Sequence, residues 1–178
     1  MGIIEQPWSV PFAVDDIPET GEHIDIEAPE PDREAVAKAA GLRALPRLSA
    51  RFDLSRRGGD VHVRGEVNAR VRQTCVVTLD PIENEISESI DLLFAPAAAR
   101  QENDTGGRAV RASSDEPEPL IGGTIDLGAL ATEFLMLAID PYPRKPGAEF
   151  RPPKSGDAAS RPFAALEALK KRSAGRES

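Results

Sequence analysis

Two stretches near the middle of the chain alternate apolar and polar residues one by one. From Arg47 onward, Leu48, Ala50, Phe52 and Leu54 face one way, and Arg47, Ser49, Arg51 and Asp53 face the other. That period of two predicts a strand with one buried face. Alternation resumes after Arg56-Arg-Gly-Gly-Asp60. Val61, Val63, Gly65, Val67, Ala69, Val71, Gln73, Cys75, Val77 and Leu79 then lie on one side, and His62, Arg64, Glu66, Asn68, Arg70 and Arg72 on the other. The glycines supply positive φ, so the interruption predicts a hairpin. The return strand, residues 61–79, is longer than usual, which predicts a bend or bulge with Gly65 as its natural place. After a turn at Asp80–Asn84, residues 85–94 alternate again with Ile86, Ile90, Leu92 and Phe94 inward, while Glu88 breaks the pattern.

The flanks supply shorter elements. Residues 6–14 hold a proline at each end of an alternating run and suit an edge strand, with Trp8 as an anchor on the domain. Residues 22–27 predict a short strand. A helix is expected from Pro29–Pro31 to Ala40, stopped by Gly41. Residues 120–125 predict a strand, and Asp126 caps a helix whose Leu127, Leu130, Phe134, Leu135 and Ala138 form an apolar stripe. Residues 96–119 lack periodicity and are read as a flexible acidic insert. Residues 149–178 are read as a basic, proline-rich tail carrying a short amphipathic helix over 163–172. The fold class expected is α+β: a mainly antiparallel curved sheet, open or barrel-like, with two flanking helices in a single domain over 1–148.

Charge changes this picture because it is segregated. The 178-residue chain has a net charge of −8. Residues 1–34 carry ten acids and one base, whereas residues 43–72 carry eight arginines and three acids. Residues 80–140 hold 13 acids and three bases, and residues 141–178 hold nine bases and four acids. Two basic segments between acidic ones leave contact with RNA or a ribosomal surface open, as they do intramolecular pairing. With one cysteine, Cys75, the chain has no internal disulfide framework. No apolar run approaches a membrane span, and Met1–Glu5 lacks the basic and apolar regions of a signal peptide, so a cytoplasmic protein without membrane partners is expected.

An enzyme needs a nucleophile with its base, a metal cluster or a phosphate loop. The two histidines are 39 positions apart, and His62 sits on the polar face of its strand, where a satisfied surface imidazole is the simpler reading. Gly106-Gly107 and Gly122-Gly123 lack the downstream glycine and Lys-Ser/Thr of a phosphate-binding loop. Asp15-Asp16 and the pair Glu83 and Glu85 sit in acidic surroundings that charge excess alone explains. The expectation is therefore no catalytic residue, no metal and no cofactor.

The run Arg64-Gly-Glu-Val-Asn-Ala-Arg-Val-Arg-Gln-Thr-Cys75, continuing through Val-Val-Thr-Leu-Asp-Pro to Phe94, resembles the YceD family of large ribosomal RNA subunit accumulation proteins. Trp8-Ser-Val-Pro11 with Asp15-Asp-Ile-Pro-Glu-Thr-Gly21, Ile125-Asp-Leu-Gly-Ala-Leu130 and Asp140-Pro-Tyr-Pro-Arg-Lys-Pro-Gly-Ala148 resemble its alphaproteobacterial branch. The resemblance spans nearly the whole chain and singles out Cys75, Leu79, Pro141, Tyr142 and Pro143 as family-motif positions. It implies a non-enzymatic role in ribosome biogenesis, supporting 23S rRNA accumulation beside a large-subunit ribosomal protein or the pre-ribosomal particle. Many members carry Cys-x-x-Cys where this chain has Cys75 and Thr78. A tetrahedral zinc site needs about four ligands, and a lone Cys75 with distant His23 and His62 does not supply them.

Independently of the family, the register places Arg47, Arg51, Arg64, Arg70 and Arg72 on the polar side of the paired strands. Guanidinium groups grip phosphates bidentately, so these five are the candidate rRNA contacts. The competing expectation is that they pair with acidic segments of the same chain. Only 4% of residues are aromatic, which disfavours base stacking and keeps open an acidic adaptor that holds a basic partner without touching RNA.

Overall fold

The computed structural model describes residues 6–96 and 117–150. In chain order these form β1 (Pro11–Ala13), a single 3-10 turn (Val14–Asp16), β2 (Glu22–Glu27), α1 (Glu30–Ala39), β3 (Ala44–Arg57) and β4 (Asp60–Thr74). β5 (Pro81–Pro96), β6 (Glu118–Leu120), β7 (Thr124–Asp126) and α2 (Leu127–Ala138) follow. The fold is α+β, and these elements belong to one compact unit that ends at Pro146. The insert read at 96–119 falls almost entirely, and the tail helix at 163–172 entirely, outside the described residues.

Five strands form one sheet in the order β2-β3-β4-β5-β6, antiparallel throughout except for the parallel β5–β6 pair. The sheet is open and not barrel-like: β2 and β6 are its ends. β1 and β7 make a separate antiparallel pair. The central hairpin follows from alternation and glycine, with Arg57 opposite Asp60 and Gly58 at φ +63°. Its inward row of Leu48, Phe52, Leu54, Val61, Val63, Val67 and Val71 is wholly or almost wholly buried. Burial of each such side chain contributes roughly 2 kcal/mol of transfer free energy. Val36 and Ala37 of α1, Leu127, Ala131 and Leu135 of α2, and Trp8, Val14 and Ile17 of the N-terminal segment join this core.

Gly65 is not the site of a bulge. β4 keeps unbroken register with β5 from Val61 to Thr74, and the irregularity lies instead in β3, between Ala44 and Arg47. Gly65 stands opposite Phe52, and a Cβ there would lie 2.5 Å from the Arg51 carbonyl oxygen and 2.9 Å from the Phe52 ring. Its lack of a side chain lets the aromatic ring lie over the strand.

Three other expectations are corrected. β4 ends at Thr74 rather than Leu79, because residues 75–80 turn the chain into β5. The single strand read over 120–125 is two strands, β6 and β7, separated by Gly122 and Gly123, both at positive φ. The N-terminal strand shrinks to three residues. Ahead of it, Leu127 N–H donates to the Val10 carbonyl, and Asp126 accepts from the amides of Val10 and Ala129. One carboxylate thus caps α2 and ties down the N-terminal segment. Gly128 permits this approach, since a Cβ there would meet Val10 N at 2.9 Å.

Candidate functional site

The outer face of the sheet is built from cross-strand rows. One row runs His23, Asp53, Arg64, Asp91 across β2 to β5, and the next runs Asp25, Arg51, Glu66, Ser89. Towards the other end, Arg47 stands opposite Arg70, which faces Glu85, and Arg72 faces Glu83. All five candidate arginines therefore share one solvent face. Opposite charges meet because directly opposed residues on one face of an antiparallel pair lie within side-chain reach.

Four of the five are already partnered. Arg51 pairs with Glu66, Arg64 Nε lies 3.5 Å from Asp91, Arg70 reaches Glu85 at 2.6 Å, and Arg72 Nε donates to Glu83 at 2.8 Å. Among the described residues Arg47 makes no ion pair. Asp25, Glu27, Asp53, Glu66, Glu83, Glu85 and Asp91 share the face, so carboxylates outnumber the arginines. Both histidines join the network. His62 bonds to Asp91, and His23 Nδ1 lies 2.7 Å from Asp53. The bond to Asp53, helped by Asp25, holds His23 above the ordinary imidazole pKa. The His62 bond holds Asp91 below the usual carboxylate range, and Ser87 with Arg51 does the same for Glu66.

A second arrangement lies at the β4–β5 turn, where the positions that the resemblance singled out come together from two segments distant in sequence. Cys75 N–H donates to the Asp80 carbonyl at 2.9 Å, and Leu79 N–H to the Cys75 carbonyl at 3.0 Å. The segment after α2 lies alongside. Val76 N–H donates to the Pro143 carbonyl at 3.0 Å, Lys145 N–H to Cys75 Sγ at 3.3 Å, and Lys145 Nζ to Asp80 at 3.1 Å. Pro141 and Pro143 keep this segment out of the helix, the Tyr142 N–H donates to Asp140, and the Pro143 carbonyl faces Val76.

Cys75 is the pillar of this corner. It is fully buried, and its sulfur also accepts from Thr78 N–H at 3.4 Å. The Lys145 amide foremost, then the Thr78 side chain and amide, pull the thiol down to about 6. The group is an internal acceptor rather than a nucleophile offered to solvent. Around it the side chains point outward: Leu79, at φ +61°, is 72% exposed and Tyr142 71% exposed, whereas Pro143 is buried.

Sequence reasoning put the five arginines on one polar face, where they lie, but missed the side chain that ties β4 to the segment after α2. Gln73 is buried, donates to the Asp140 carbonyl at 2.8 Å and accepts from Asn84. A lone polar residue on an otherwise apolar strand face was the available signal. Thr78, Asp80 and Lys145 lie within the runs that resemble the family, but nothing in their local pattern marks them as partners of Cys75. Among the described residues no group of three or more His, Cys, Asp or Glu is placed to hold a metal, and no helix is long and apolar enough to cross a membrane.

The family model described as large ribosomal RNA subunit accumulation protein YceD matches residues 63–170. Comparison with curated proteins and with solved structures gave no match. The matched span begins in β4 and takes in both the Cys75 turn and the 140–146 segment that packs on it. Covering more than half of the chain, the match shows that this protein belongs to the YceD family, whose role is accumulation of the large-subunit ribosomal RNA.

Proposed function

We propose that the protein is a non-enzymatic biogenesis factor that supports 23S rRNA accumulation during large-subunit assembly. In this reading it meets the pre-ribosomal particle as an adaptor for a basic ribosomal protein or assembly factor. The observation that carries the adaptor reading is the outer face, where Arg51, Arg64, Arg70 and Arg72 each face a carboxylate and acids exceed arginines. A phosphate backbone approaching it must displace those carboxylates and meet their excess charge. Both histidines are bonded to aspartates on this open face, which supports a structural role over acid–base catalysis.

One observation favours direct rRNA contact as the second reading. The paired arginine side chains remain between 47% and 65% exposed, and exposed pairs are worth about 0–1 kcal/mol, so phosphate can exchange for carboxylate. Crosslinking and immunoprecipitation of the tagged protein, read by RNA sequencing and mass spectrometry, separates the two. The adaptor reading expects one enriched ribosomal protein or assembly factor, no RNA crosslink from the arginine strands, and retention of that partner by Arg64→Glu/Arg70→Glu/Arg72→Glu. Crosslinks from those strands to defined 23S segments would establish the second reading. A deletion strain with normal 23S rRNA levels would overturn both.

A further inference from the structure

β2 ends the five-stranded sheet, and among the described residues nothing pairs with its far side. Which backbone groups it leaves open follows from one bond. Ala28 N–H donates to the Leu48 carbonyl, so Ile26 with Ala50, Ile24 with Phe52 and Glu22 with Leu54 are the hydrogen-bonded pairs with β3. The amides and carbonyls of His23, Asp25 and Glu27 therefore point away from the sheet. Side chains alternate along the same edge. His23, Asp25 and Glu27 are exposed on the outer face, while Ile24 and Ile26 are half-buried at the margin of the core.

We infer that β2 is a docking edge for an extended basic segment of a partner protein, which adds to the sheet as a sixth strand. The edge specifies its occupant in two ways. Open amides and carbonyls at every second residue match the repeat of an extended polypeptide backbone, and the carboxylates of Asp25 and Glu27 repel a polyanion. The side-chain pattern then asks for basic residues beside Asp25 and Glu27, alternating with apolar residues that cover Ile24 and Ile26. Charged residues on an edge strand also discourage self-association, and here both effects act together: a second β2 is repelled and a basic strand is attracted. The inference rests on the adaptor reading and gives it a location. β2 lies outside residues 63–170, so the family match does not define this edge.

The test uses the full chain, labelled for NMR, and a blocked peptide of alternating lysine and valine spanning the edge. Binding is expected to slow hydrogen exchange at the amides of His23, Asp25 and Glu27. Methylating the peptide nitrogens on the β2-facing side should weaken binding about tenfold or more, a loss on the order of one hydrogen-bonding contact or two. Asp25→Pro removes an outward N–H while sparing the bonds to β3, and should weaken binding more than Asp25→Asn does. Absence of binding, binding without protection of those three amides, or equal binding of the methylated peptide would each overturn the inference. Co-sedimentation of the unaltered protein with large-subunit precursors tests the adaptor reading separately. If that fails while the peptide protects the edge, the ribosomal reading falls and the docking edge stands.

Discussion

The outer face of the sheet and the Cys75 corner are both functional candidates, yet opposite physics holds them together. On the outer face, long charged side chains meet across strands while still largely in water, so each contact is weak, screened by salt and exchangeable. At the corner, backbone amides of two distant segments close on a buried sulfur and on fixed carbonyls. Contacts of that kind are costly to leave unmade. The face is therefore suited to trading partners, and the corner to holding Leu79 and Tyr142 outward on a rigid base. Variants in the two regions should differ in size and in their response to salt and pH.

The largest effect is expected from Cys75→Ala. It removes the acceptor of two amides in a fully buried place and should destabilise the fold by about 2 kcal/mol, read from denaturant midpoints. Its pH signature follows from a folded-state pKa of about 6, depressed from an ordinary value of 9.0. The thiolate contribution is fully present above the unfolded value and is lost as pH falls towards 6. Stability of the unaltered protein should thus rise between those limits, and Cys75→Ala should flatten the rise. A native thiol that reacts as fast as free cysteine would contradict the buried placement.

Asp126→Ala comes next, at about 1 kcal/mol, because it uncaps α2 and frees the Val10 amide. Hydrogen exchange should quicken at Val10 and Ala129 together. On the outer face, a double-mutant cycle between Arg51 and Glu66 should give a coupling below about 1 kcal/mol that fades in high salt. A salt-insensitive coupling of several times that size would erase the contrast between the regions. The smallest effect is expected at His23, whose pKa is raised. Its contribution is present below the ordinary imidazole value and is lost as pH rises through the folded one. NMR titration of the ring should place its midpoint above that of Asp53→Asn.

Much of the sheet was legible because burial on one face imposes a period of two. Phe52 and Val67 lie inward and Arg51 and Arg70 outward as alternation requires. The same pattern misled at Cys75, Val77 and Leu79. Their apolar spacing mimics a strand, but Cys75 is buried in a turn, Val77 is half-buried and Leu79 projects into water. Turn geometry depends on what accepts each amide, and the acceptors Pro143 and Asp80 are not visible in local composition. The pairings β1–β7 and β5–β6 were likewise out of reach. Three-residue strands carry too little pattern to announce a partner, and in each pair the partner is distant in sequence.

By itself the sequence determined the one-faced sheet, the Arg56–Asp60 hairpin, the two helices with their ends, and the segregation of charge. Each of these is a local consequence of side-chain period, glycine freedom or capping chemistry. Tertiary structure alone decided which carboxylate each of the four paired arginines meets, that Cys75 receives the Lys145 amide, and that β2 is left at the end of the sheet. Those outcomes depend on strand register and order. Both are settled by burying the common core of Phe52, Val67, Leu127 and Leu135, and by no signal within any one segment.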